Sequence, residues 1–357
     1  MIHILKPNLE ASKKRYLDWW RGKGVVLTMW EHLEKADARC EDIPKPPPVK
    51  DLDQFWFDPD WRSDYLNYQM LRYSYKADIL PVANTQLGPG SLSAILGADL
   101  EARENTIWIR DHAGSDADIT LDPNNKWLRL HYDLLCKCKE KSQGRYFVGC
   151  PDLMEGMDVL AGLSGSDQVL MNLMLDPDRM LHRLQAVNDV YFEVFDRIYD
   201  IINIDGEMAF CYFSIWGPGK VSKLQCDISV MISEEDFRTF AIPFLRQQCN
   251  RLDYTLYHLD GVDAIRHLDA VLELENLNAV QWTPGYGQPQ GGNACWYDLY
   301  RKILSNGKSV MANWVTMDEL EPLLDHVGNQ GLNIQMDFRN EQEIDQALKI
   351  VDKYRSA

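Results

Sequence analysis

The sequence contains no run of about 18 apolar residues, the length a helix needs to cross a bilayer, and its opening segment Met1 to Pro7 has no signal-peptide core. We therefore expect a cytoplasmic protein. Basic residues are scarce: 37 Lys and Arg stand against 54 Asp and Glu, and a net charge of −17 repels phosphate backbones and anionic lipid. That balance argues against nucleic-acid and membrane-surface roles. The eight cysteines, at 40, 136, 138, 150, 211, 226, 249 and 295, include one Cys-x-Cys and no Cys-x-x-Cys, so a structural zinc finger is not expected and reduced, buried thiols are. There is no Gly-x-Ser-x-Gly elbow, phosphate loop or Gly-x-Gly-x-x-Gly fingerprint, which disfavours serine hydrolases, nucleotidases and dinucleotide enzymes. No low-complexity tract or linker divides the chain, and its proline cluster, Ile43 to Pro48, reads as an extended surface segment.

What remains is a 357-residue chain, 45% hydrophobic, that can bury one large core. Short β-prone runs alternate with longer helical periodicity, the pattern of parallel strands joined by helices. Eight runs recur: Val25 to Trp30, Ile79 to Ala83, Tyr146 to Cys150, Met208 to Phe213, Tyr254 to His258, Ala279 to Trp282, Val310 to Trp314 and Asn333 to Met336. Eight predicts an α/β fold of the (β/α)8 TIM-barrel type, a single domain over residues 1–357. Between the runs, Asp176 and Pro177 open a helix whose apolar residues recur every three or four positions. Ser233 with Asp236, Thr316 with Glu319 and Asn340 with Glu343 mark further helix starts. Residues 1–24 predict an N-terminal helical extension whose Trp19 and Trp20 belong to the core. Residues 104–131 predict a β-hairpin or meander inserted between the second and third strands, with Thr106 to Arg110, Asp118 to Leu121 and Lys126 to Leu130 as its strands.

In such a barrel the residues just past each strand share one mouth. Chain order supplies Glu31 and His32, Asn84, Asp152, Trp216, His258 and Asp260, then Gln281, Trp282 and Thr283, then Asn313 and Trp314, and last Asp337 and Arg339. Tyr257-His-Leu-Asp-Gly261 is the sharpest feature, because alternation sends His258 and Asp260 to one side roughly 6 to 7 Å apart at their backbones. With Asp337 from the last strand they could hold zinc, manganese or iron(II). The other reading has His258 hydrogen-bonding substrate and Asp260 capping the next helix. Glu31 is a candidate acid or base. Asp152 and Asp158 flank Glu155, and a capping role for Asp158 competes with catalysis. Gly88-Pro-Gly90-Ser91 reads as an anion cradle or a tight turn. The Gly-rich stretch Thr283 to Asn293 reads as a substrate-covering lid or a plain surface loop. Trp216 reads as a turn residue or a stacking surface.

The strings Leu224-Gln-Cys-Asp-Ile-Ser-Val-Met-Ile-Ser-Glu-Glu-Asp-Phe237 and Tyr257-His-Leu-Asp-Gly261, with Gly88-Pro-Gly90 upstream, resemble the uroporphyrinogen decarboxylase superfamily over most of the chain. That resemblance implies a (β/α)8 barrel and either decarboxylation or cobalamin-linked methyl transfer. The decarboxylase proper carries an arginine-rich segment after its first strand. Here Thr28-Met-Trp-Glu-His-Leu-Glu34 is acidic and has none, so the methyltransferase-like branch is the better match. That branch is expected to place zinc on His-x-Cys and a distant Cys. His258 matches the histidine, while Asp260 and, within Gln335-Met-Asp-Phe-Arg339, Asp337 stand in place of the cysteines, which exchanges soft for hard ligands.

The sequence thus points to an enzyme moving a methyl group from a small O- or N-methylated substrate to an acceptor. The resemblance alone implies that this acceptor is a corrinoid on a partner protein. His258, Asp260 and Asp337 are the expected metal ligands and, with Glu31, the expected catalytic residues. His32, Asn84, Asp152, Trp216, Gln281, Trp282, Trp314 and Arg339 are the expected substrate contacts. A decarboxylase or lyase on a small carboxylated substrate, with Arg339 as anchor, is the alternative, and a non-catalytic corrinoid- or sugar-binding protein is a third reading. Related barrels often pair, so a homodimer is compatible, although nothing in the sequence marks an interface.

Overall fold

The computed structural model describes residues 2–35, 44–111, 114 and 119–356, so Cys40, Ile43 and Asp118 lie outside the described residues. Twelve strands are present among them: β1 Val25–Met29, β2 Val82–Ala83, β3 Asp99–Ala102, β4 Ile107–Asp111, β5 Phe147–Cys150, β6 Glu207–Phe210, β7 Ile215–Pro218, β8 Val221–Leu224, β9 Tyr254–Asp260, β10 Ala279–Thr283, β11 Ser309–Ala312 and β12 Leu332–Met336. A six-stranded parallel sheet runs β1-β12-β11-β10-β9-β8, and a four-stranded sheet runs β2-β5-β6-β7. The fold is mixed α/β, and each of the eight expected runs overlaps one of the parallel strands. Their residues are buried on both faces, as strands covered by helices must be.

Two features depart from the expected rhythm. Val221–Leu224 is an additional parallel strand, paired with β9, and β7 turns back antiparallel on β6 just before it. The two sheets also meet without a ladder at either junction among the described residues. Between β1 and β2 the backbone contact is the Asp78 N–H on the Leu27 carbonyl, at 3.0 Å. Pro81, just before the two-residue β2, has no N–H with which to extend a ladder.

The inserted hairpin is β3 paired with β4, so it begins earlier than residue 104. Lys126 to Leu130 is not a strand: it opens the helix Lys126–Ser142, whose cap Asn125 accepts from the Trp127 and Leu128 N–H groups. The same Asp-Pro-Asn-Asn residues that favour a turn also cap a helix, and the buried spacing Trp127, Leu128, His131, Leu134, Leu135, Cys138 is helical. Ile119 to Leu121 is not in a strand.

The helix Leu9–Trp20 packs across the strands' N-terminal ends. Trp19 Nε1 donates to the Val310 carbonyl at 3.1 Å and Trp20 Nε1 to that of Trp216 at 2.8 Å. That leaves the C-terminal ends for chemistry. No helix among the described residues is long and apolar enough to cross a membrane.

Candidate active site

A cavity of about 600 Å³ opens past the C-terminal ends of several strands. Asn84 and Gln86 reach it after β2, Asp152 after β5, Tyr212 after β6, Gln225 and Asp227 after β8, and His258 and Asp260 from the end of β9. One ligand atom each from Asp227, His258 and Asp260 lie within 4.8 Å of one another, a spacing that suits a single cation. Of the expected metal set, His258 and Asp260 are here, and Asp227 stands where Asp337 was expected.

His258 is prepared for this role by its neighbour. In the ladder it sits beside Gln281, whose Nε2 donates to Thr283 Oγ1 at 2.8 Å, which turns the amide oxygen toward His258 Nδ1. That contact places the imidazole proton on Nδ1 and leaves the Nε2 lone pair directed at the cavity, 3.8 Å from Asp260 Oδ2. Burial, then the charge of Lys223, lowers the His258 pKa and keeps the ring neutral, although Asp260 opposes them. A neutral imidazole is the form that binds metals.

Lys223 is one of the residues the sequence reading did not contain, with Tyr212, Gln225 and Asp227. It points inward from β8 with its side chain fully buried, its Nζ 2.5 Å from Asp152 Oδ2 and 5.8 Å from the Tyr212 ring. Burial alone would neutralise it, but Asp152, Glu155 and Asp227 together hold its pKa above the ordinary lysine value. Glu155 is buried behind this pair and accepts from the Gln225 N–H at 2.5 Å. Its pKa is raised well above normal, by burial first.

Asp227 is aimed by two supports. Gln225 Nε2 donates to Asp227 Oδ2 at 2.9 Å, and Asp158 accepts from the Asp227 and Ile228 N–H groups at 2.8 and 2.9 Å. Asp158 thus caps the turn that follows β8 rather than its own helix. Desolvation, with Asp260 and Asp152 adding to it against Lys223, raises the Asp227 pKa to about 6. Desolvation and the Asp227 charge raise that of Asp158 to about 7.

A folded pKa above the ordinary 3.8 means that the native state binds more protons than the unfolded one between about pH 4 and 7, so this contribution to stability falls as pH rises. In metal-free protein, the stability of the wild type relative to Asp158→Asn should therefore decline across that window. Urea titrations of both proteins at several pH values measure the difference, and a flat or rising one refutes the assignment.

Other expected site residues lie elsewhere. Asp337, Trp314 and Arg339 line a separate, open recess with Gln290 and Glu343. Asp337 accepts from the Glu31 N–H at 3.4 Å, and Arg339 Nε donates to Glu343 at 2.7 Å. Glu31 is exposed and does not line the cavity. His32 stacks on Tyr73, ring centroids 5.2 Å apart, with its pKa lowered to about 4 by desolvation. Trp216 is buried beneath the sheet, with Nε1 on Glu207 at 3.2 Å. Trp282 follows inward-facing Gln281 and so points outward, against Trp296. The aromatic lining comes instead from Phe55, Trp56, Tyr65 and Tyr212.

Gly88 and Pro89 contribute to the cavity wall. An added Cβ on Gly90 would come within 2.7 Å of Ile109, so that glycine permits close packing of the turn on the hairpin.

The fold resembles that of a solved enzyme. A methyltransferase from Methanosarcina mazei superposes over 96% of this chain and 98% of its own, with a TM-score of 0.58 and 11% sequence identity. At that identity the likeness is one of fold, and this chain has a methyltransferase-like fold. No family model matches the sequence, and no curated protein does.

Proposed function

We propose that the chain is a methyl-transfer enzyme of the uroporphyrinogen decarboxylase superfamily, its two sheets forming the arcs of one barrel of the (β/α)8 type to which β8 adds a ninth parallel strand. It would take a small O- or N-methylated donor into the cavity and pass the methyl group to a corrinoid carried by a partner protein. The convergence of Asp227, His258 and Asp260 on one cavity is the observation that carries this reading, and the fold likeness supports it.

In the transfer the methyl–heteroatom bond breaks, the methyl group goes to the acceptor's electron pair, and the heteroatom keeps the bonding pair and needs a proton. Asp227, with its pKa near 6, is partly protonated close to neutrality and can supply that proton. Asp152, held by Lys223, accepts a hydrogen bond from the substrate and fixes its orientation. A zinc, manganese or iron(II) ion on Asp227, His258 and Asp260 would instead draw electron density from the leaving heteroatom.

The test incubates purified protein, with and without each metal, with added cob(I)alamin and a panel of methyl ethers and methylamines. The expected result is one demethylated product per methyl group transferred. Release of carbon dioxide from a carboxylated substrate without methyl transfer would replace this reading with the lyase. Tight corrinoid or sugar binding without turnover would replace it with the binding protein.

A further inference from the structure

The polar atoms left open in the cavity are of mixed sense. Gln86 is oriented by the Asp152 N–H, which donates to its Oε1 at 2.9 Å, and the Cys211 thiol shares that oxygen at 3.4 Å. Its Nε2 has no partner and keeps accessible surface, so it presents two hydrogens and no acceptor. Asn84 is set the same way, its Oδ1 taken by the Gln86 N–H at 3.1 Å. Gln225 is the reverse: its Nε2 is spent on Asp227, and its accessible Oε1 can only accept. The Tyr212 hydroxyl, also unpartnered and accessible, can do either.

Among the described residues around the cavity, no cation is open to a ligand. Lys223 is fully buried against Asp152. Arg62 belongs to the helix Pro59–Arg72, which lines the cavity also with Tyr65 and Gln69. Its guanidinium lies 4.6 Å from the Trp56 ring centroid, Nη2 donates to the Gln86 carbonyl, and Nε and Nη1 are buried. A ligand carboxylate or phosphate would therefore meet Asp227 and Asp260 without a counter-charge. An ammonium would suit those carboxylates but could not accept from Gln86 and Asn84, whose donors it would cover and leave unpaired. A hydroxyl does both with one atom. Phe55, Trp56 and Tyr65 line the same cavity and add apolar surface for a ligand's C–H groups.

We infer that the methyl donor is an uncharged, hydroxyl-rich ether, an O-methylated sugar or cyclic polyol. Its hydroxyls accept from Gln86 and Asn84 and donate to Gln225 and Asp260, and its methylated oxygen is turned toward Asp227. This rests on the proposed methyl transfer for the identity of the reacting group, while binding tests the hydroxyl recognition by itself. When the methyl group passes to the corrinoid, the oxygen keeps the bonding pair and takes the Asp227 proton, which makes it one more hydroxyl of the same kind.

Calorimetry on the full chain uses methyl α-glucopyranoside, methyl β-galactopyranoside, 3-O-methylglucose and a monomethyl inositol. The reference is 2-methoxytetrahydropyran, which keeps the ring and the ether and lacks the hydroxyls. At least one polyol should bind about tenfold or more tighter than the reference. Gln86→Met removes the donor at similar volume and should cut that preference to about twofold or less, and Asn84→Ala, at an exposed position, should lower it by about threefold. Thermal melts establish that both variants fold, and if Gln86→Met does not, Asn84→Ala decides alone. Absence of any polyol preference, including absence of binding by all four, overturns the inference. So does a preference unchanged in the folded variants, or tighter binding of tetramethylammonium or methoxyacetate than of every polyol. The two proposals fail separately: polyols that bind through Gln86 without methyl transfer remove the functional reading alone, and demethylation of methylamines without any polyol preference removes this inference alone.

Discussion

Replacing Lys223 by methionine should lower the unfolding free energy by about 3–5 kcal/mol at neutral pH, the cost of stranding a buried charge. Methionine fills much of the same volume, so the loss is electrostatic. Asp152 would keep the Met154 N–H at 3.1 Å but lose its ammonium partner, and Glu155 would lose the nearest positive charge. Adding Asp152→Asn to the variant should recover part of the loss, because the uncompensated carboxylate is then gone. Denaturant titration of the two variants and the wild type measures both effects. A loss below about 1 kcal/mol in the single variant would mean that water reaches the pair and screens it.

Metal affinity gives the second large effect. Asp227→Asn should weaken zinc or manganese binding by about a hundredfold, and Asp337→Asn should leave it within about twofold, a contrast read by competition with a chromogenic chelator. Asn keeps the size of Asp227 and its contact with Gln225 while removing the anionic ligand. Binding should also weaken below about pH 6, where the Asp227 proton competes with the cation. A loss in Asp337→Asn with none in Asp227→Asn would place the cation in the other recess.

These contrasts follow from what the sequence could and could not show. The β runs were legible because strands covered on both faces are continuously apolar, and His258 with Asp260 was legible because alternation puts them on one side. Val221-Ser-Lys-Leu224 was not, since its inward position is filled by a charge and only two of its four residues are apolar. Missing that strand hid Lys223 and placed Asp227 in an undefined loop. The signal available was Gly219, which follows Pro218 and takes a positive φ just before that strand, where the chain reverses into it.

The tryptophans misled for a different reason. Composition favours them as stacking surfaces, but strand parity turns Trp282 away from the cavity and a short hairpin carries Trp216 beneath it. Arg62 lies on a helix well before the second strand, so a reading restricted to strand ends could not reach it. Its spacing with Tyr65 and Gln69 was visible, but only contact with the cavity distinguishes that stripe from an ordinary helix face.

Where the β1–β2 junction has no ladder, one fully buried carboxylate takes over the joint. Asp78 accepts from Arg15 Nε at 2.6 Å, Ser12 Oγ and the Leu27 N–H at 3.0 Å, and pairs with Arg355. It therefore rivets the first long helix, the first strand and the last helix at a single point. Amide hydrogens at the two extremes of the described chain should open as one cooperative unit, and a force applied between those extremes would load this rivet before it reached the catalytic floor.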